Sequence, residues 1–329
     1  MISDFQKICF LNSNDGSSIL GYGEGDSVRL ESNHTLSEID SFIKRQKGKY
    51  IFTCISYDLK NEIEPLSSDN IDEIGFPLAF IWSPQLVFKI KEQKIQCVQG
   101  FSTDKDLNDV KNFLNSSSQK NKKRDFYFEA RTPKKKYIHS VEKLKKHIQK
   151  GDIYEVNYCH NFICQNIDLN NFNSIYIDLN AITKTPFSSF FQFDEFSIFC
   201  CSPERFIRKK NQGLLTQPIK GTSKRGSTPK EDQKLIEQLK TDPKERAENI
   251  MIVDLMRNDL SKIAQQNTVK VNELCGIYSF ETVHQMISSI SCTLEKDISF
   301  IDILRATFPM GSMTGAPKYR AMELIEEFE

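Results

Sequence analysis

The sequence lacks an excess of either charge, a paired cysteine motif and a cluster of histidines. Its 44 Lys and Arg residues balance 44 Asp and Glu residues, so no overall field favours nucleic acid or an anionic membrane. Its nine cysteines form no CxxC pair and its five histidines are scattered, which excludes the spacing of a zinc site. We therefore expect reduced cysteines in a cytoplasmic protein that binds a small molecule or another protein, with no nucleic acid and no membrane as partner.

Long apolar runs and the residue pattern of a secretory leader are also absent from this sequence. The first residues contain neither a basic start with an apolar run nor a small-residue cleavage site, and no stretch approaches the roughly 18 apolar residues that would span a bilayer. At 329 residues the chain is long enough to bury a large core. We expect one large domain or two closely packed domains.

Three regions differ in composition. Residues 1–114 contain short extended runs and are predicted to be rich in sheet, with one helix over 36–46. Residues 115–125 have no apolar side chain and predict an exposed linker or loop. Residues 126–329 form the third region. The extended runs of the first region are 8–11, 50–56, 78–82, 86–90 and 95–98.

Helix signals dominate the third region. Thr132-Pro133 begins a helix that Gly151 should end, and a strand with alternating pattern is expected over 152–158. Further helices are predicted over 173–183, 229–239 and 317–328. Asp242 followed by Pro243 predicts the N-terminus of another helix, in which Glu245 would complete a capping box. The phenylalanine-rich segment 187–199 is expected to be buried sheet.

Residues 200–222 predict a β-hairpin. Its arms flank Asn211-Gln212-Gly213, a three-residue loop in which Gly213 would supply a positive φ. In that register Glu204 lies directly opposite Lys220. Opposed residues have Cβ atoms about 4.5–5.5 Å apart, so the two charged groups could flank a small substrate. The alternative is an ordinary cross-strand ion pair.

Two further segments could bind ligands. Glu245 and Glu248 share one helix surface, where their charges repel unless solvent or a cation intervenes; a metal ion and a plain solvated face are the two interpretations. The small residues of 311–318 lead into a proline-started helix, whose free N–H groups could bind a carboxylate or phosphate. The alternative there is a plain capped helix start.

Five motifs follow one another along the chain from Gly151 onward. They are Gly151-Asp152-Ile153-Tyr154-Glu155-Val156-Asn157, Ser202-Pro203-Glu204-Arg205-Phe206, Gln217-Pro218-Ile219-Lys220-Gly221-Thr222, Arg246-Ala247-Glu248-Asn249 with Arg257-Asn258-Asp259-Leu260, and 311–318 with Arg320-Ala321-Met322-Glu323. Together they resemble the chorismate-utilising enzymes, most closely the members that aminate chorismate. Residues 1–113 match the family only in outline.

The resemblance implies an α+β fold, in which two large, mostly antiparallel sheets pack face to face with helices outside and chorismate lies between them. It also implies Mg²⁺ and no organic cofactor. The product would be 4-amino-4-deoxychorismate, in para-aminobenzoate and folate biosynthesis. Ammonia would come from a separate glutamine amidotransferase subunit, since this chain lacks a Gly-x-Cys-x-Gly segment for glutamine hydrolysis.

The family's functional residues can be carried over to matching positions. Lys220 matches the catalytic lysine, which forms a covalent adduct with chorismate, and Glu204 matches the general acid. Relatives that make anthranilate or isochorismate usually carry alanine at the position of Lys220. The remaining matches are Gly221, Thr222, Ser312 and Gly315 for substrate, Glu248 with Glu245 for metal, and Ser13, Pro186, Phe187 and Ser188 for a pocket that binds tryptophan.

Two departures from the family pattern affect the expected function. Gln285 stands where many members have a histidine, so a histidine role moves to His284 or is absent. The sequence ends at Glu329, whereas members continue with a substrate-binding arginine and a second metal carboxylate, so we expect a fold that is incomplete at its C-terminus. Anthranilate or isochorismate synthesis is one alternative function. A non-catalytic binding subunit or truncated remnant is the other.

Overall fold

The computed structural model describes residues 7–32, 35–115, 126–165 and 172–329. The chain divides into two compact units, each assembled from three segments of sequence. The first unit comprises Met1–Leu59, Ile74–Phe126 and Asn166–Pro203; the second comprises Lys60–Glu73, Tyr127–Gln165 and Glu204–Glu329. Within the described residues, no helix is long and apolar enough to cross a membrane.

The strands are numbered in chain order. They are β1 Lys7–Asn12, β2 Ser17–Leu30, β3 Phe52–Ile55, β4 Ala79–Lys91, β5 Lys94–Gln99, β6 Glu129–Ala130, β7 Glu155–Val156, β8 Phe162–Ile163, β9 Phe187–Phe193, β10 Phe196–Ser202, β11 Arg205–Lys210, β12 Gly213–Gln217, β13 Ile219–Lys224, β14 Lys270–Ser279, β15 Val283–Thr293 and β16 Gly315–Ala316.

The α-helices are numbered in the same way. They are α1 Ser37–Arg45, α2 Asp104–Leu114, α3 Lys134–Lys150, α4 Phe172–Thr183, α5 Pro229–Thr241, α6 Pro243–Ser261, α7 Phe300–Thr307 and α8 Lys318–Phe328. Short 3₁₀ helices cover Tyr57–Glu62 and Gly311–Met313.

The first unit is built on an antiparallel sheet of seven strands. The strand order is β10-β9-β1-β2-β4-β3, and β5 pairs with β4. Alternate residues of these strands enter two apolar clusters, as expected when successive side chains point to opposite faces of a sheet. Phe10, Phe113 and Phe190 belong to one cluster, and Phe80 and Phe193 belong to the other.

The second unit contains a five-stranded antiparallel sheet. Its order is β11-β12-β15-β13, and β14 also pairs with β15. Helix α6 packs on this sheet through Ile252, Val253, Met256 and Leu260, which share a cluster with Ile290 of β15. A two-stranded pair, β7 with β16, lies in the same unit. The two main sheets agree with the predicted α+β class of mostly antiparallel sheets.

The predicted hairpin forms, but its loop and register are wrong. Lys210 pairs with Gly213, so the turn contains only Asn211 and Gln212, and Asn211 rather than Gly213 adopts a positive φ, of 53°. Asparagine tolerates this left-handed conformation better than most residues. The ladder then shifts between Arg205 and Arg208. Lys220 is not paired with β11 at all, because Pro218 ends β12 and Lys220 lies on β13, which pairs with β15.

Each predicted helix is present, as α1, α3, α4, α5, α6 and α8. Gly151, with φ 83°, ends α3, and the Asp242 carboxylate accepts the backbone N–H groups of Lys244 and Glu245 at the start of α6. The predicted capping box does not form, because the N–H of Asp242 already donates to Leu239 O of α5. The strand expected over 152–158 shortens to β7, which has only the two residues of β16 to pair with.

The first half of the chain differs more from expectation. Two predicted runs merge into the single strand β4, and β2 and α2 were not predicted. Thr103 and Asp106 cap α2 reciprocally, a signal that is readable in the sequence. Most of the predicted linker over 115–125 lies outside the described residues, so the three-region division stays a prediction.

Candidate active site

Lys220 lies on β13, next to a close contact between helix α6 and the sheet of the second unit. At the next residue, Gly221, φ is +98° and an added Cβ would lie only 3.2 Å from side-chain atoms of Glu245 and Met286. Glycine is therefore required here both for conformation and for space. The Asn249 side chain of α6 donates to Lys220 O at 3.2 Å and to Met286 O at 3.1 Å. The backbone of Lys220 is thus fixed between α6 and β15.

The side chain of Lys220 reaches the short strand β7. Its Nζ forms an ion pair with Glu155 Oε1 and donates to Asn157 Oδ1 at 3.1 Å. Pairing with β16 holds this segment in place, since Val156 pairs with Gly315 and Asn157 N donates to Thr314 O at 2.8 Å. An ammonium group is thereby brought next to two polar side chains from a distant part of the sequence.

Glu204 lies just before β11 and is partly buried. Its Oε1 accepts the Ser312 hydroxyl at 2.6 Å and the Ile219 N–H at 2.8 Å. Burial raises the pKa of the Glu204 carboxyl, and these hydrogen bonds and the charge of Lys220 lower it only in part. Glu204 is therefore disposed to hold a proton at higher pH than an ordinary glutamate, which is the property of a general acid.

The predicted pairing of Glu204 with Lys220 is wrong as a cross-strand contact, because Lys220 lies on β13, which pairs with β15 and not with β11. Both groups nevertheless lie in one neighbourhood, since Ile219 N binds Glu204 and the charge of Lys220 acts on its pKa. Ser312, a predicted substrate residue, is buried and bonded to Glu204. Thr222, another, lies on β13 opposite Gln285.

The segment 311–318 has a different arrangement at each end. At Gly315, φ is +150° and an added Cβ would lie 2.3 Å from Glu155 O, so this glycine is needed for β16 to approach β7. Lys318 instead binds inward, donating to Asp259 Oδ2 at 2.5 Å and Thr307 O at 3.0 Å. Lys318 therefore forms a structural ion pair with Asp259. Helix α8 begins without a hydrogen bond from a capping side chain.

The two proposed metal carboxylates already attract a cation. The Lys244 ammonium lies 3.1 Å from Glu245 Oε1 and 2.9 Å from Glu248 Oε1. Across the described part of the chain, no three acidic, histidine or cysteine side chains converge as a metal site. Mg²⁺ usually takes one or two protein carboxylates and completes its shell with water and substrate. Glu245 and Glu248, which both contact the Lys244 ammonium, fit this requirement.

His284 does not face the lysine. Its ring is fully buried, with Nε2 2.9 Å from Asp232 Oδ1 and Nδ1 2.8 Å from Ser279 Oγ. Asp232 in turn pairs with Arg225 at 2.8 Å. We assign His284 to this structural network. The adjacent Gln285 is also buried, and its Oε1 has no hydrogen-bond partner among the described residues.

Comparison with known proteins now identifies the family. The sequence profile of the chorismate binding enzymes matches residues 6–329. The chain belongs to the chorismate binding enzyme family. Aminodeoxychorismate synthase component 1 of Bacillus subtilis is 30% identical over all of this chain and 74% of its own length. The Escherichia coli protein of the same name is 40% identical over 70% of this chain and 47% of its own length.

Coverage and fold add two facts about this family member. The chain spans about half the length of several curated relatives that it matches, with 44%, 47% and 57% of their lengths aligned. A crystal structure of anthranilate synthase component I from Streptococcus pneumoniae superposes with a TM-score of 0.81 and 25% identity, over 95% of this chain and 77% of that one. The chorismate-binding enzyme fold is thereby shown.

The predicted tryptophan pocket lies in the first unit, at one end of its sheet. Asn12 of β1 pairs with Ser188 of β9, which brings Ser13 close to Pro186, Phe187 and Ser188. Ser188 is buried and its hydroxyl lies 2.8 Å from the Tyr176 hydroxyl. The structure therefore brings these residues together, and their ligand remains a prediction.

Glu155 and Asn157 are the residues that sequence reasoning missed. Both belong to the first quoted motif, but neither was assigned a role there. Their spacing of two residues places side chains on one face of an extended segment, which was a usable signal. What the sequence could not supply was the pairing of β7 with β16, which determines that this face meets Lys220.

Proposed function

We propose that this chain acts as aminodeoxychorismate synthase component I, a transferase that converts chorismate and ammonia into 4-amino-4-deoxychorismate. One observation carries the proposal: Lys220 is a mostly buried amine, held beside the proton-retaining carboxyl of Glu204. An amine in such a place suits nucleophilic catalysis. The names of the relatives support the same activity.

The proposed mechanism divides a difficult displacement into two steps. Lys220, once neutral, attacks C2 of chorismate, both ring double bonds shift by one position, and the C4 hydroxyl leaves as water after it takes the proton of Glu204. Ammonia then adds at C4, both double bonds shift back, and the C2–nitrogen bond breaks to release Lys220. Each proton lost by an attacking amine balances one gained by a leaving group. The second step regenerates the enzyme.

Substrate and metal residues complete the proposal. Gly221, Thr222, Ser312 and the Gly315 backbone hold chorismate. Glu248, with Glu245 nearby, would hold Mg²⁺, which when bound neutralises the charge of a ring carboxylate. Glu245 and Glu248 both contact the Lys244 ammonium, which supports this assignment because the two carboxylates are close enough to share one cation. Lys244 would be displaced when the metal binds.

Ammonia requires a second protein in this proposal. The relatives named component 1 imply a partner component, and a glutamine amidotransferase subunit would release ammonia for the second step. The product would feed para-aminobenzoate and folate biosynthesis. All nine cysteines are free thiols, which supports a reducing compartment such as the cytoplasm.

Anthranilate synthesis is the second candidate, favoured by the likeness to anthranilate synthase component I. Both reactions use chorismate and ammonia, so only the product separates them. The presence of an amine at position 220 favours the first candidate, since anthranilate formation needs no lysine adduct.

Product analysis tests the proposal. Purified chain is incubated with chorismate, Mg²⁺ and ammonium, and products are separated and identified by mass spectrometry. We expect 4-amino-4-deoxychorismate and, when ammonia is omitted, a chorismate-derived adduct on Lys220. Anthranilate or isochorismate as the product, with no adduct, contradicts the proposal in favour of the second candidate or its isochorismate-forming relatives. Unchanged chorismate contradicts it in favour of a binding role.

A further inference from the structure

Among the described residues, the Glu155 carboxylate has one donor, the Lys220 ammonium. The side chains of Lys220 and Glu155 are each only 14% exposed where they form their ion pair. The second oxygen of Glu155, Oε2, is buried and has no hydrogen-bond partner within the described residues. Lys220 therefore provides all of the compensation that this carboxylate receives from the described chain. If Lys220 moved away or lost its proton, a buried anion would be left uncompensated, which is unfavourable.

We propose that Glu155 is a positioning residue that holds Lys220 as a docked ammonium in the resting protein, so that the lysine must be freed from this carboxylate before it can attack. The proposal rests on the proposed function for the catalytic meaning of Lys220. It adds a resting state in which the nucleophile is stored in its unreactive form.

Glu155 could alternatively be the base that accepts the proton of Lys220, and magnitudes decide against this role. Glutamate and lysine differ by about six units in ordinary pKa, so transfer within the pair would populate the neutral form about once in 10⁶. Release of the same proton to water at pH 7.4 requires only about three units, or once in 10³. An adjacent carboxylate raises the pKa of an ammonium, so Glu155 opposes activation.

Other charged groups near Lys220 are less able to control its charge. Glu204, before β11, already accepts two hydrogen bonds, from Ser312 and Ile219. Glu245, on α6 beside Gly221, is in contact with Lys244. Glu155 is the carboxylate in direct contact with the ammonium. Substitution of Glu155 is therefore the change that should alter the protonation of Lys220 most.

Competitive labelling of amines tests this without any substrate. Trace acetic anhydride reacts only with unprotonated amines, and peptide mass spectrometry gives the labelling rate of Lys220 at each pH, scaled to its plateau at high pH. Glu155→Gln keeps an acceptor but removes the charge. In this variant the titration midpoint of Lys220 should be lower than in wild type by about one pH unit or more, so that labelling of Lys220 at pH 8 is about tenfold faster.

Two further variants make the result specific. Glu155→Asp keeps the charge on a shorter side chain, so its titration should stay closer to wild type than that of Glu155→Gln. Glu323→Gln removes a carboxylate from an exposed pair with Arg320 and should leave the labelling of Lys220 unchanged. The proposal is overturned if the titration midpoint of Lys220 in Glu155→Gln is the same as in wild type or higher. A higher midpoint would assign Glu155 the role of base. If Glu155→Gln does not fold, Glu155→Asp keeps the proposal testable: labelling of Lys220 at pH 8 that is slower in Glu155→Asp than in wild type overturns it as well.

Adduct formation separates this inference from the proposed function. With chorismate and Mg²⁺ but no ammonia, Glu155→Gln should form the Lys220 adduct about tenfold faster than wild type at neutral pH. Labelling that shifts as expected in proteins that form no adduct supports the docked ammonium and contradicts the proposed function. An adduct in wild type, with no effect of Glu155→Gln on either readout, supports the function and overturns the docked ammonium.

Discussion

The two compact units bury different kinds of side chain. The core of the first unit is aromatic: Phe80 stacks on Phe193 with ring centroids 3.8 Å apart, and Phe190 stacks on Phe199 at 5.5 Å. The second unit buries charged and titratable groups, among them Asp259 and His284, each at most 1% exposed. Asp259 is held between Lys318 at 2.5 Å and Lys262 at 3.2 Å.

This difference distinguishes a unit that is stabilised by apolar packing from one that must pair the charges it buries. Aromatic burial stabilises a unit without further requirements, whereas a buried charge is tolerated only when it is paired and hydrogen-bonded. Lys220, Glu155 and Glu204 all belong to the second unit. We therefore expect substitutions in the first unit to act on stability and those near Lys220 to act mainly on activity.

The largest effect is expected from Lys220→Arg. The variant keeps the positive charge that Glu155 requires, so the midpoint of thermal unfolding should change by only a few degrees. A guanidinium cannot attack chorismate, so amination should fall by about 10⁴-fold or more, equivalent to about 5.5 kcal/mol. The measurement is the rate of 4-amino-4-deoxychorismate formation. Retained amination would return Lys220 to the role of a structural ion pair.

In contrast to Lys220→Arg, Phe190→Ala should lower the stability of the protein rather than its activity. Phe190 is fully buried and contacts Phe113, Tyr176 and Phe199, so its removal leaves a cavity. We expect the free energy of unfolding to fall by about 3–5 kcal/mol, measured by denaturant titration. The exposed Phe101→Ala is the matched control and should change it little. A stable Phe190→Ala with impaired catalysis would break the division between the units.

Glu248→Gln tests the metal site and should have an intermediate effect. A hard cation needs an ionised oxygen ligand at about 2.0–2.1 Å, which an amide replaces poorly. We expect Mg²⁺-dependent activity to fall by about 10²-fold, with partial retention in Glu248→Asp. Mg²⁺ titration of the activity is the measurement. Full activity with unchanged Mg²⁺ dependence would reassign Glu248 to the solvated surface of α6.

The smallest effect is predicted for Asp232→Asn, which should change how the stability of the protein depends on pH. Hydrogen bonds from Arg225, Gly226 and His284 hold the pKa of Asp232 well below its usual value of 3.8. Because the folded pKa is lower than the unfolded one, this group stabilises the protein above about pH 4 and the contribution is lost as pH falls toward the folded pKa. Asp232→Asn should be less stable at pH 7, and its stability should fall less steeply below pH 4. Parallel acid unfolding curves would contradict the prediction.

Local signals in the sequence predicted much of the fold. Gly151 and Asp242 marked helix boundaries correctly, because caps depend on residues within one turn. The register of the hairpin was predicted wrongly, also for a local reason. Asn211 and Gly213 are both suitable turn residues, and the choice of Gly213 as the residue with positive φ assigned the wrong partner to each residue of the hairpin. The long strand β4 was divided at Ser83 and Pro84, although β2 continues to pair with it there.

The candidate site was predictable only in part. Lys220 and Glu204 were found through their motifs, and the structure places them near each other despite a wrong register. Glu155 escaped notice, because its role depends on contact with a residue 65 positions later in the sequence (220 − 155). Such contacts follow from tertiary pairing, which local propensity does not encode.

The pairing of β7 with β16 has a consequence for folding. Its two strands are each two residues long, and Val156 pairs with Gly315 far along the chain, so closing this contact costs considerable loop entropy for few hydrogen bonds. We therefore expect this contact to form late in folding, after the larger sheets have condensed. The N–H groups of Tyr154 and Asn157, which donate to Ala316 O and Thr314 O, should therefore exchange their hydrogens sooner than those of β15. The lysine would meet its carboxylate at the end of folding, and catalytic competence would lag behind the appearance of a folded chain.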